Sequence, residues 1–278
     1  MEKFKIIADS ASDLLSLEKT PFAVAPLKII TAEREFEDNE NLCVEEMVTF
    51  LASYKGKSSS SCPNPEDWLS AFGEAENVFC VAITGTLSGS CSAALVAKDM
   101  YESACPGRRV FVINSLSAGP EISLIIERLS VLILGGKEYE EICEEITEYT
   151  KRTGLLFVLE SMRNLANNGR VSPIAAKAAG ILGIRVVGCA SEKGDLQPLD
   201  KVRGEERALD TLLRRMKEEG YNGGKVNIAH CLNEGAARTL EKKISESFPR
   251  AKIKVYQCRG LCSFYAERGG VLVGYEKE

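Results

Sequence analysis

Between the apolar run Val78–Ile83 and the helical pattern that follows, the chain reads "TGTLSGS" (Thr84–Ser90), in which only Leu87 is bulky. Three other places gather small hydroxyl and amide side chains in the same way: Asp9, Ser10 and Ser12 after the run Phe4–Ala8, the four serines 58–61, and Asn114, Ser115 and Ser117 after Arg109–Asn114. Each cluster precedes a predicted helix, so free N–H groups and the positive end of a helix dipole stand beside neutral hydroxyls. That combination suits a small anion such as a carboxylate, which receives several hydrogen bonds without a fixed countercharge. Any one cluster taken alone is also an ordinary helix N-cap; a cap does not require four serines in a row, or Gly85 and Gly89 among the hydroxyls. Nucleotide chemistry is poorly served, because neither G-x-x-x-x-G-K-[ST] nor a G-x-G-x-x-G after a strand occurs. A serine hydrolase or acyltransferase using Ser88 is the rival reading. Ser88 lacks the G-x-S-x-G setting, however, and His230, the single histidine, ends a strand-like run where a capping or packing role is expected.

The elements that must position these residues alternate. Strand-like runs at Phe4–Ala8, Val78–Ile83 and Arg109–Asn114 are interleaved with helical patterns at Asn41–Tyr54 (with Asn41 available as cap), after Pro65, after Ser90, and over Ala118–Leu134 and Glu138–Lys151. This rhythm predicts a parallel sheet flanked by helices, whose strand ends share one edge where ligands bind. Ala23–Ile30 reads as one further strand, irregular or at an edge because of Pro26. From Gly154 the pattern changes: a strand, a short helix ended at Asn168 and Gly169, a small-residue helix "PIAAKAAGILG", then a hairpin around Gly194 and Asp195. The fold class expected is α/β in two domains, residues 1–152 with a parallel sheet and residues 153–278 of α+β type with a mixed sheet, the ligand lying between them. The 278 residues, 45% apolar and 27% charged with a net charge of −5, fit such a protein and disfavour nucleic acid or an anionic membrane as partner. No long apolar run and no leader-like N-terminus occur, so a cytoplasmic protein without stable membrane insertion is expected. The ten cysteines contain no C-x-x-C and sit mostly in apolar runs, which predicts buried reduced thiols and no metal site.

The order of short motifs resembles the DegV family of fatty-acid-binding proteins, which serve bacterial fatty-acid kinases. "IIADSASDL", "SSCPNPEDW", "LSGSCSAA", "VINSLSAG", "ESMRNLANNGRVS" and "DKVRGEERAL" are similar, in sequence order, to that family's signatures, with Ser60 and Ser90 at positions where the family has threonine. The resemblance implies a long-chain fatty acid enclosed between two domains and no other cofactor. Its carboxylate would lie at Ser60, Ser61, Ser88, Gly89 and Ser90, with Arg203 near the entrance. It also implies a carrier without catalytic residues, which presents the acid to a separate kinase subunit for acyl-phosphate formation. One departure stands out: the family's His-x-Gly-Pro-Gly stretch is missing near the C-terminus. The corresponding "YQCRGLCSFYAERGG" offers Arg259, Ser263 or Tyr265 instead.

The energetics agree with a lipid. Burying about 14 methylenes at roughly 0.8 kcal/mol each gives on the order of 11 kcal/mol before ordering costs. "GLLFVLESM", the small residues Ala175, Ala176, Ala178, Ala179 and Gly180, and "YQCRGLCSFY" are the expected tunnel material.

Overall fold

Strands β1 (Phe4–Asp9) and β6 (Asn77–Ala82) are apolar at almost every position, as strands covered on both faces must be. They occupy the middle of a four-stranded, all-parallel sheet of order β2-β1-β6-β7, with β2 at Phe22–Ala25 and β7 at Arg109–Asn114. The computed structural model describes residues 2–174 and 183–278. Side-chain alternation sends Ile6, Ala8, Phe79 and Val81 to one face, against α4 (Pro120–Leu134) and α5 (Tyr139–Thr150). Ile7, Val78, Cys80 and Ala82 point the other way, against α2 (Pro65–Phe72) and α3 (Ser90–Ala104). The opening of α2 is as the sequence predicts: Pro65 is its first residue, and Asn64 and Asp67 form a reciprocal capping box. Helix α1 (Val44–Ser53) instead starts after Cys43, so Asn41 is not its cap.

The second sheet has six strands in the order β10-β9-β8-β13-β11-β12, antiparallel except for the β11–β12 pair. Its strands are β8 (Thr153–Leu159), β9 (Ile184–Ala190), β10 (Leu196–Arg203), β11 (Lys225–His230), β12 (Lys252–Gln257) and β13 (Val271–Glu276). One face packs on α7 (Glu205–Glu218) and α8 (Glu234–Ser247) through Leu209, Leu212, Met216, Leu240 and Ile244. The other face, carrying Leu155, Phe157, Leu159 and Leu272, turns toward the first half of the chain. Residues 175–182 of the small-residue segment, including Ala175–Gly180, lie outside the described residues.

Two expectations need correction. The run Ala23–Ile30 is two strands, because Pro26 cannot donate to a ladder: β2 edges the parallel sheet, and β3 (Lys28–Thr31) enters a third sheet. That small antiparallel sheet has the order β4-β3-β5, with β4 at Glu35–Glu37 and β5 at Ser58–Ser61. The four serines therefore form a strand rather than a loop before a helix, and Ser60 pairs with Ile29. A β3 ladder supplies what serine's weak strand propensity does not.

Helix α4 packs on β13 and β11 across the two halves, and two further contacts between the halves border the site. The β9–β10 hairpin turns at Gly194, whose φ is +82°, and its carbonyl accepts the Thr86 hydroxyl at 2.7 Å. A Cβ at Gly194 would stand 2.1 Å from Thr84 Oγ1, so only glycine allows this closeness. At the other contact, two aspartates from the first half receive the N-terminal donors of α9 (Gly260–Ala266), which packs on α6 (Arg163–Asn167) of its own half. The Arg259 N–H donates to Asp13 Oδ1 at 2.7 Å, and the Gly260 and Leu261 N–H groups donate to Asp38 Oδ1 and Oδ2, both at 2.8 Å.

Both carboxyl groups are buried, and desolvation raises both above the ordinary range; Asp13 is pushed up to about 8, with repulsion from Asp38 adding to burial and the Arg259 N–H opposing it. The folded chain thus holds the Asp13 proton more tightly than the unfolded chain, where it is lost near pH 4. Between those values stability falls as pH rises, and the fall ends as pH passes the folded value. The substitution Asp13→Asn keeps an acceptor for the Arg259 N–H, and asparagine tolerates the φ of +59° found at this position. Urea unfolding at pH 6 and 8 is expected to show the wild type losing roughly 1–2 kcal/mol more than Asp13→Asn over that interval. Equal losses would mean that Asp13 is ionised throughout.

Candidate functional site

A cavity of about 290 Å³ lies between the inner face of the six-stranded sheet and the C-terminal edge of the parallel one. Its long walls are apolar: Leu155, Phe157, Leu159 and Leu272 from the sheet, Leu261, Cys262 and Ala266 from α9, and Leu27, Ile83 and Ala118 from the first half. Polar groups enter this lining from few places: Ser60, Ser61 and Cys62 of β5 and the turn after it, Ser88 and Gly89 before α3, Arg170, and Tyr265 of α9. An apolar cavity with a few convergent polar groups is the ordinary form of a small-molecule site.

The polar groups are tied to one another. Ser60 Oγ and Tyr265 Oη share a hydrogen bond of 2.7 Å. Burial raises the Tyr265 phenol, so the pair stays neutral at physiological pH and has hydroxyl protons to offer. The Arg170 guanidinium stands 5.9 Å from the Tyr265 ring centre, and its Nε donates to the Leu87 carbonyl at 3.1 Å while Nη1 donates to the Asn168 carbonyl. Arg170 thereby brings one positive charge to the end of the cavity where the hydroxyls are. Ser88 Oγ accepts the Ser90 N–H at 3.3 Å, which leaves its own proton to donate. Gly89 is the N-cap of α3 and has no side chain to satisfy the helix's free donors; a Cβ there would meet Cys62 Sγ at 3.2 Å. Hydroxyls, a helix start and one guanidinium at one end of an apolar cavity are suited to an amphiphile with an acidic head and a long tail.

The predicted residues divide on inspection. Ser60, Ser61, Ser88 and Gly89 come together in the cavity lining. Ser90 is wholly buried behind it, its hydroxyl donating to Asp9 Oδ2 at 2.6 Å. Arg203 is exposed at the far end of β10 and is not among the lining residues. Leu196, at the near end of that strand, does line the cavity, and the strand rise carries Arg203 roughly 23 Å beyond it. Among the three C-terminal candidates Tyr265 reaches the polar end, whereas Ser263 donates to the Cys258 carbonyl and Arg259 to the Asn39 carbonyl. Sequence reasoning gave no role to Arg170 or Cys62; each is one residue at a turn, where no periodicity marks direction. The hydroxyl run itself is shared between tasks, since Thr84 and Thr86 meet the hairpin while Leu87, Ser88 and Gly89 face the cavity. Asn114 and Ser115 likewise brace local backbone, at Gly85 and Ser117. His230 is buried at the end of β11, where its Nδ1 accepts the Asn233 N–H at 3.3 Å, and it does not line the cavity. All ten cysteines are unpaired; six are buried, and Cys43 and Cys62 are exposed.

Comparison with known proteins agrees along the whole chain. A DegV domain-containing protein of Streptococcus pneumoniae is 43% identical over 277 residues, covering 98% of this chain and 99% of that one. Among solved structures, the Fatty Acid Kinase (Fak) B3 protein of S. pneumoniae, loaded with linoleic acid, superposes with a TM-score of 0.98 at 43% identity over all of both chains. A DegV family protein from Eubacterium eligens, loaded with heptadecanoic acid, gives 0.97 at 39% identity, covering 99% of this chain and 100% of that one. The family described as "Uncharacterised protein, DegV family" matches residues 3–278, and with relatives this similar over this length the chain belongs to the DegV family.

Proposed function

We propose that this protein binds one long-chain fatty acid non-covalently, carboxylate toward Ser60, Ser61, Ser88 and Gly89, and presents it to a separate kinase subunit for acyl-phosphate formation. The observation that carries the reading is the cavity itself, with long apolar walls and with serine hydroxyls, a phenol and a guanidinium gathered at one end. The fatty acids in the S. pneumoniae and E. eligens structures support the ligand class, and the kinase name of the former supports the partner. Residues 1–152 supply most of the head-group end and residues 153–278 most of the tail wall, which we take as the two domains. Arg170 and Tyr265 join the head-group set, Tyr265 through its hydrogen bond to Ser60. Ser90 acts from behind the lining, and Arg203 lies outside it. The protein is a carrier whose ligand is its only cofactor, working in the cytoplasm without nucleic acid. Among the described residues no helix is long and apolar enough to cross a membrane. A nucleophilic role for Ser88 is disfavoured because the single histidine is committed elsewhere and, among the described residues, no base is hydrogen-bonded to the hydroxyl.

Native mass spectrometry of protein purified from cells is expected to show an adduct of fatty-acid mass that organic solvent removes. An adduct that survives denaturation on Ser88 would turn the reading toward covalent chemistry.

Hydrogen bonds to a charged acceptor contribute roughly 1.5–3 kcal/mol each. Ser60→Ala with Ser88→Ala is therefore expected to weaken palmitate binding by about two orders of magnitude or more, with the fold intact. Tyr265→Phe, which removes one neutral partner of Ser60, is expected to cost about three- to tenfold. Titration of the lipid-free variants with a fluorescent fatty acid measures both, and unchanged affinity in the double variant would remove the carboxylate from this end.

A further inference from the structure

Asp9 ends β1 and is wholly buried beneath the hydroxyl run. A single oxygen, Oδ2, accepts the Ile83 N–H at 2.9 Å and the Ser90 hydroxyl at 2.6 Å. Ile83 and Ser90 are the two ends of the loop that carries Ser88 and Gly89, so one carboxylate oxygen fixes how far apart those ends stand. The Ser90 N–H in turn donates to Ser88 Oγ, which fills one lone pair there. We infer that Asp9 is a positioning residue: acting through Ser90 and the loop ends, it directs the Ser88 hydroxyl proton into the cavity without itself touching the ligand. This rests on the fatty-acid reading of the cavity.

Several features favour that role over plain packing. Desolvation pushes the Asp9 carboxyl up to about 6, with the Ser90 and Ile83 donors pulling it back, so near pH 7.5 it is mostly ionised. An ionised carboxylate only accepts, which forces the Ser90 hydroxyl to donate and leaves it one orientation. Asp38 and the Cys91 thiol are the other titratable groups that interact with Asp9; the thiol is raised by burial, so it adds no negative charge. A buried charge is a costly way to hold a turn, and here, beside the Ala11 backbone, it is met by donors from the two residues that frame the ligand-facing loop.

Palmitate affinity of the full chain, stripped of lipid and measured at pH 7.5, tests the relay. Ser90→Ala is expected to lose about tenfold, and Ser90→Thr, which keeps the hydroxyl, to stay within about twofold of the wild type. Asp9→Asn should match Ser90→Ala; where it does not fold, the Ser90 variants decide. The Ser90→Ala/Ser88→Ala double variant should bind no more weakly than Ser88→Ala alone, because the relay ends at Ser88. Losses that multiply in the double variant, or a Ser90→Ala protein with wild-type affinity, overturn the inference. A wild type that fails to bind palmitate overturns the reading of the cavity instead.

Discussion

Three backbone N–H groups at the start of a seven-residue helix, received by the carboxyl groups of Asp13 and Asp38, hold the arrangement together. Helix α9 is too short to be stable by itself. Capped from the first half of the chain and followed by β13 of the second sheet, it becomes a fixed wall on which Leu261, Cys262, Tyr265 and Ala266 face the cavity. The same caps therefore set where the Tyr265 phenol meets Ser60. Three buried carboxyl groups, Asp9, Asp13 and Asp38, interact at this junction, which is unfavourable for the fold alone. Each gives at least one oxygen to a loop or helix start that borders the cavity.

The regular elements were legible because their signals are local. Alternation of buried strands with capped helices gave the parallel sheet, and Gly194 with Asp195 gave the hairpin. The third sheet was not legible: β3, β4 and β5 are three or four residues each, and serines carry no strand signal until β3 is beside them. Helix α9 was hidden for a related reason, since the aspartates that cap it come from the opening of the chain and its cap bonds span 222 to 246 positions.

At the site, serines could be grouped from sequence because their types and the strand-to-helix context coincide. What sequence could not decide was direction. Thr86 and Ser88 are two residues apart in one polar run, yet one holds the hairpin and the other faces the cavity. Arg170 and Arg203 both stand in short recognisable stretches, and only the path of β10 separates the one that lines the cavity from the one that does not. Such choices depend on tertiary placement, to which periodicity is blind.

The cavity also has a thermodynamic meaning for the chain that surrounds it. Unfilled apolar space in a core costs about 24 cal/mol per Å³. The 290 Å³ cavity is only partly enclosed, so its buried apolar part bears such a cost while water satisfies the serine end. A domain's whole stability is usually about 5–15 kcal/mol. A fatty acid bound as proposed would act as a missing side chain of this core, supplied from solution. The amount of folded protein in a cell would then follow the supply of acyl chains, and an abundance assay would report on lipid before any activity assay did.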